Sequence, residues 1–169
     1  MHKVYSNDLS LTVKVTTSMV FILIALIISI VLNWKAEITF KLLISFIILG
    51  VFLLPLFFYP RKVILEENAI KVIRFGKDIL INYSKIFDLK ALKDEKIRMI
   101  GIIGSDGIFG HLGLYYLRGY GKAWCYLTNP KKPIILILKN GKKFAFSLKE
   151  DDEFMRELNL KLKKLRNEV

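Results

Sequence analysis

VTTSMVFILIALIISIVLNW (Val15–Trp34) and LLISFIILGVFLLPLFFYP (Leu42–Pro60) stand in the first part of a 169-residue chain and contain no charged side chain. A bilayer-crossing helix takes ~20 predominantly apolar residues at 1.5 Å rise per residue, and each run meets that length. The connection carries Lys35, Glu37 and Lys41 and is too short to hold a folded domain. The pair therefore reads as a transmembrane hairpin over residues 15–60, with spans at about 15–34 and 39–59. A cleaved signal peptide would need small residues at its cleavage site, where this chain has Trp34, and a second span follows at once. Helices of a soluble protein would show one apolar stripe rather than two runs apolar all round.

The basic flanks set orientation. Lys3 and Lys14 precede the first run, and Arg61 and Lys62 follow the second, with Lys71, Arg74 and Lys77 close behind. Cytoplasmic flanks of spans are enriched in Lys and Arg, so both termini are expected in the cytoplasm of a multi-pass plasma-membrane protein. Residues 1–14 then form a cytoplasmic N-terminal segment. Lys41 extends its stem toward the outer headgroups. Trp34 and Tyr59 stand at opposite interfaces, where amphipathic rings are favoured. Pro55 frees the Val51 carbonyl and is expected to bend the second span.

The net charge is +12, and only four of the 27 basic side chains precede Pro60. The part beside the membrane is thus strongly basic, and it faces the leaflet that carries anionic lipid. Anionic headgroups or an acidic protein surface are the expected partners, and nucleic acid is not. A basic domain also simply obeys the positive-inside rule. Cys125 is the lone cysteine, which excludes an internal disulfide and fits a reducing compartment. With His2 and His111 the only histidines, no Cys/His metal cluster can be assembled and no cofactor is expected.

Residues 61–169 suffice for one domain, and its pattern is mainly strands. Val63–Leu65 and Ala69–Phe75 flank Glu66-Glu67-Asn68; Asp78–Tyr83 and Ile86–Leu92 follow. After a glycine-rich interval come Leu114–Arg118 and Lys122–Leu127, then Ile134–Lys139 and Lys142–Leu148 joined at Asn140-Gly141. Asn-Gly suits a type I′ hairpin turn, which needs positive φ at both central positions. Seven or eight short strands at this spacing predict a barrel or sandwich. The period then changes. Phe154, Leu158, Leu162, Leu165 and Val169 mark one face of a closing helix over about 150–168. Acidic residues 150–153 at its start and Lys161, Lys163, Lys164 and Arg166 near its end complement the helix dipole.

Catalytic patterns fail on inspection. Gly101, Gly104, Gly107, Gly110 and Gly113 recur every third residue, but His111-Leu112 follows Gly110 where a P-loop needs Lys-Ser or Lys-Thr. A dinucleotide fingerprint needs a helix after its glycines, and here a strand follows. Tight turns and close backbone approach account for the run. Asp106 and His111 form a carboxylate–imidazole pair close in sequence, with Ser105 the nearby hydroxyl, and nothing positions them for acid–base work. Cys125 lies in an apolar strand, as a small buried hydrophobe does. The alternating aromatics Tyr115, Tyr116, Tyr120, Trp124 and Tyr126 fit sheet packing better than a nucleobase platform. No enzyme is expected.

Several stretches carry a resemblance. They are Gly107-Ile108-Phe109-Gly110-His111-Leu112-Gly113, Trp124-Cys125-Tyr126-Leu127-Thr128, Ile134–Leu138, Gly141-Lys142-Lys143-Phe144, Ser147, and Phe154 with Leu158. From Arg61 to Leu158 the chain resembles the bacterial pleckstrin-homology-like domain, in the version that follows two transmembrane helices. Leu148 stands where that pattern has proline, a change of helix-start residue rather than of chemistry. The resemblance implies an α+β chain: a helical hairpin, then an all-β PH-like barrel or sandwich of two nearly orthogonal sheets capped by a C-terminal helix. Gly107, Phe109, Gly110 and Gly113 are its structural motif. It implies a binding or scaffolding module at the inner leaflet, whose partner is a protein or anionic lipid. The alternative is a subunit of a larger transport or signalling complex that uses the hairpin as its interaction surface. Eukaryotic relatives often bind phosphoinositides through basic residues in and between the first two strands, which makes Arg61, Lys62, Lys71 and Arg74 the candidate binding residues here.

Overall fold

The structure is a computed structural model that describes residues 3–92 and 97–167, and the side chains of these up to Leu165. A short strand, β1 (Lys3–Ser6), precedes the helices α1 (Leu11–Asn33) and α2 (Ile38–Leu53), and α2 tightens into a 3-10 turn at Leu54–Phe58. Then come β2 (Pro60–Leu65), β3 (Ala69–Arg74), β4 (Ile79–Asn82), β5 (Ile86–Ala91) and β6 (Met99–Asp106). They are followed by β7 (His111–Leu117), β8 (Gly121–Leu127), β9 (Ile134–Leu138), β10 (Lys143–Phe146) and the closing helix α3 (Asp151–Asn167).

Side chains cap both ends of α1. Ser10 sits at the N-cap of α1, and its Oγ accepts from the Val13 N–H at 3.2 Å. At the far end the Lys41 ammonium donates to the Leu32 carbonyl at 2.9 Å and Asn33 to the Ser29 carbonyl at 2.9 Å, satisfying carbonyls that the helix end leaves open. Pro55 lies where α2 gives way to 3-10 geometry, because it has no N–H for the Val51 carbonyl. Leu11–Asn33 and Ile38–Phe58 are both long and apolar enough to span a membrane, and almost none of the residues in their apolar stretches are buried within the protein. Large side chains such as Met19, Ile30 and Phe46 stand mostly open.

The sheets form a sandwich of the PH-like type, with no closed barrel. One sheet has the antiparallel order β1-β2-β3-β4; the other runs β5-β9-β10-β8-β7-β6, with β10 parallel to β8. Two strands were not expected from the sequence. β1 falls within residues 1–14, and it pairs with β2 so that Ser6 faces Lys62 and Tyr5 faces Val63. Four residues are too few to show a period, yet Tyr5 is only 2% exposed. The helical hairpin is therefore an insertion between two adjacent strands of one sheet.

The second unexpected strand, β6, occupies the glycine run. Gly104 stands opposite Gly113 in the β6–β7 ladder, with φ of 140° and 129°. A Cβ on either would collide with the facing backbone carbonyl, Leu112 or Ile103. The glycines thus permit the close backbone approach expected of the run, here between two paired strands.

The core explains the remaining pattern. In β9, Ile134, Leu136 and Leu138 join the cluster between the sheets and α3, whereas Ile135 belongs to a second cluster with Tyr115, Cys125 and Ala145. Alternate residues of β9 thus feed opposite faces, and both are covered, which is why the strand is apolar throughout. From α3, Phe154 and Leu158 are fully buried, and Leu162 and Leu165 pack partly against the same cluster. Val169 lies outside the described residues. Phe154 meets Tyr5 and Phe146 edge to face at centroid distances of 5.1 and 5.6 Å. Phe154→Ala is expected to cost about 3–5 kcal/mol, read as a lower denaturant midpoint of the detergent-solubilised chain followed by tryptophan fluorescence.

Candidate functional site: the joint between helices and sheets

The four cations singled out from the sequence do not converge. β2 and β3 turn Val63, Leu65, Ile70 and Val72 inward, which leaves Lys62 and Lys71 on the outer face of their sheet. Lys71 lies 3.5 Å from Asp78. Arg74 is committed to structure. Its Nε donates to the Lys77 carbonyl at 2.8 Å, Nη2 reaches the same oxygen, and Nη1 donates to the Tyr126 hydroxyl at 3.3 Å. Its guanidinium also stacks over Tyr126 at 5.3 Å and Phe58 at 6.0 Å, pinning the β3–β4 turn to the 3-10 turn. Arg61 stacks over Phe75 at 5.1 Å, and Lys62 is exposed. Of the four, Arg61 and Lys62 are the ones whose charge is turned outward without an anionic partner among the described residues.

Beside them lies a feature the sequence did not disclose. A cleft of 420 Å³ opens between the first turns of α1 and the end of the second helix, lined by Val13, Lys14, Thr17, Tyr59, Phe75 and Phe109. Its floor is apolar and its rim carries the exposed Lys14. Arg61, stacked on Phe75, stands beside it. Lys14 reads from the sequence only as a topology flank, because its neighbour across the cleft is some 60 residues away in the chain.

The glycine–aromatic motif holds this joint together. Phe109 adopts φ of 59°, and its N–H donates to Thr17 Oγ1 at 2.9 Å. Its ring lies against Phe52 at 5.6 Å and Phe21 at 6.2 Å, and these two rings meet each other at 4.7 Å. Gly110 lets the turn lie against β8, since a Cβ there would come 2.5 Å from the Leu127 carbonyl. A second latch lies below. Ser147 Oγ accepts from the N–H groups of Thr128 and Asn129 at 3.0 and 2.9 Å. Thr128 Oγ1 donates to the Asp8 carbonyl at 2.6 Å, and its own carbonyl accepts from Ser10 N–H at 3.0 Å. The chain just before α1 is thus tied to the ends of β8 and β10.

The residues considered for chemistry have structural roles. His111 Nδ1 is 2.5 Å from Asp106 Oδ1 across the β6–β7 ladder. Ser105 is buried and donates to the Ile108 carbonyl at 2.7 Å, so its hydroxyl faces no open site. Burial pushes the Cys125 thiol up to about 12, far from a reactive thiolate. Among the described residues no group of three His, Cys, Asp or Glu side chains is placed to hold a metal ion.

The family model described as Bacterial PH domain matches residues 61–162, and the chain belongs to that family. The match starts at the first basic residue after the helices and ends within α3. No curated protein and no solved structure matches the chain.

Ser147→Ala leaves the buried Thr128 N–H and the part-buried Asn129 N–H without an acceptor and is expected to destabilise the fold by about 2 kcal/mol, measured as a shift in denaturant midpoint. Cys125 is expected to resist iodoacetamide at neutral pH in the folded chain and to react once denaturant is added, with mass spectrometry counting the adduct.

Proposed function

We propose that this bacterial PH domain protein is an integral membrane binding module whose sandwich lies on the cytoplasmic face and whose basic joint engages anionic lipid headgroups. The observation that carries this reading is the absence of any linker. Tyr59 alone separates the 3-10 turn from β2, and four residues separate β1 from α1. A domain tied at both ends of the hairpin presents one fixed side to the bilayer. That side carries Lys14, Arg61 and Lys62, and the orientation follows from the basic flanks of the two helices. Each well-placed cation near an anionic leaflet contributes ~1 kcal/mol. The cleft supports the same reading, because an apolar floor under a cationic rim suits an acyl chain below a phosphate.

A second reading rests on a different surface. Ile100 faces Tyr116, and Ile103 faces Leu114, which faces Trp124, so these side chains share one face of the larger sheet. Ile100 and Ile103 are 66% and 70% exposed, an uncovered apolar patch of the sort that partner proteins bury. A protein partner, or a larger membrane complex assembled through the helices, would use this patch or the hairpin. In-membrane cross-linking with mass spectrometry that recovers one partner in stoichiometric yield favours that reading.

Native mass spectrometry of the full chain, released from detergent doped with equal phosphatidylglycerol and phosphatidylcholine, tests the lipid reading. Preferential phosphatidylglycerol adducts are expected. They should fall several-fold in Lys14→Glu/Arg61→Glu and persist in Lys142→Glu/Lys143→Glu, which changes charge equally but away from the joint. Equal retention of the two lipids, or equal loss in both variants, overturns it.

A further inference from the structure

We infer that the turn between β6 and β7, residues 107–110, is a third membrane element: a wedge that sits among the acyl chains of the cytoplasmic leaflet. The inference rests on the reading of the two helices as spans. The helices supply a depth scale. Lys14 and Trp34 are twenty positions apart, which at 1.5 Å per residue is ~30 Å, the thickness of the hydrocarbon core. With Trp34 at one boundary, Lys14 marks the other. Thr17 then lies ~4.5 Å and Phe21 ~10 Å inside the cytoplasmic boundary by the same rise per residue.

The turn sits at that depth. Gly107 lies against Thr16, the Phe109 N–H is bonded to Thr17, and the Phe109 ring meets Phe21. Ile108 lines a wholly apolar groove with Ile24, Val51, Phe52 and Pro55, on the open flank of the helix pair. The side chains at the tip are therefore isoleucine and phenylalanine, between two glycines, where a turn facing water would carry polar residues.

Non-helical backbone survives in hydrocarbon only when its polar groups are satisfied by protein. In this turn two N–H groups and two carbonyls have protein partners. Gly107 N–H donates to the Gly110 carbonyl at 3.1 Å, Phe109 N–H to Thr17 Oγ1, and the Ile108 carbonyl accepts from Ser105 Oγ at 2.7 Å. Directly below the tip, Asp106 and His111 pair across the ladder, with Asp106 73% exposed. A polar pair at the neck and an apolar tip two residues beyond it place the water–hydrocarbon boundary between them. The Asp106–His111 pair thus gains a role as the collar of the wedge.

Single cysteines at Ile108, Ile27 and Asn140, each made in a Cys125→Ala background and labelled with bimane in proteoliposomes of the full chain, test the inference. Nitroxides on the acyl chains of the lipid are expected to quench the probe at Ile108 as they do at Ile27, and to spare the probe at Asn140. Quenching at Ile27 with none at Ile108 overturns the wedge and leaves the spans standing. No quenching at Ile27 overturns both. The unsubstituted chain supplies an independent readout: a photoactivatable phospholipid carrying its diazirine on the acyl chain should leave adducts on the peptide containing 107–110. Adducts on the two helices alone would overturn the wedge even if Ile108→Cys misfolds.

Discussion

Everything in this molecule depends on the pairing of β1 with β2. Two antiparallel strands lie about 4.8 Å apart, and here the loop that joins them is an entire helical hairpin. The sheet therefore brings the chain's departure toward the helices and its return to neighbouring points. The Ser6–Lys62 register fixes the axial level at which α1 begins and the second helix ends. The latch of Thr128, Ser147 and Asp8 then fixes the start of α1, and Arg74 with Phe58 fixes the end of the second helix. Phe109, packed against both Phe21 and Phe52, ties the β6–β7 turn to both helices. A helix pair that could otherwise pivot on a single peptide is gripped by three separate elements.

What could be read in the sequence follows the length of each signal. The apolar runs, the alternation through Val63–Leu65 and Ala69–Phe75, the Asn140-Gly141 turn and the heptad-like spacing of Phe154, Leu158, Leu162 and Leu165 each extend over enough residues to show a period. The strand Lys3–Ser6 does not; Tyr5 alone marks it, and one buried aromatic in a short polar segment has no pattern around it. The glycine run reads as tight turns and close backbone approach, which it provides, but not as a strand, for a different reason. Glycine is usually a sign of turns, but Gly104 and Gly113 face one another across a ladder, a pairing visible only when both strands are in place. Ile108-Phe109 between glycines was a legible clue to something apolar receiving the turn, though which elements receive it is a tertiary fact.

The candidate cations show how little a basic residue says without its neighbours. Arg74 and Lys71 have the type and the strand position expected of a ligand-binding residue. One is occupied by a carbonyl, a hydroxyl and two rings, and the other lies beside Asp78. Lys14, in contrast, lies far from that cluster in the chain and shares a cleft with Phe75, on which Arg61 stacks, only because the hairpin folds back. Charge density around the joint is therefore a property of the closed β1–β2 pair, not of a contiguous motif.

The position of β1 ahead of the helices also orders events during synthesis. The strand leaves the ribosome first, yet its partner arrives only after both apolar runs have been made. On the reading of the two runs as spans, a second run that failed to return would leave β1 and β2 on opposite sides of the bilayer, Tyr5 could not reach Phe154, and the smaller sheet would lack its edge. On that reading, closure of the β-sandwich requires a chain that has crossed twice.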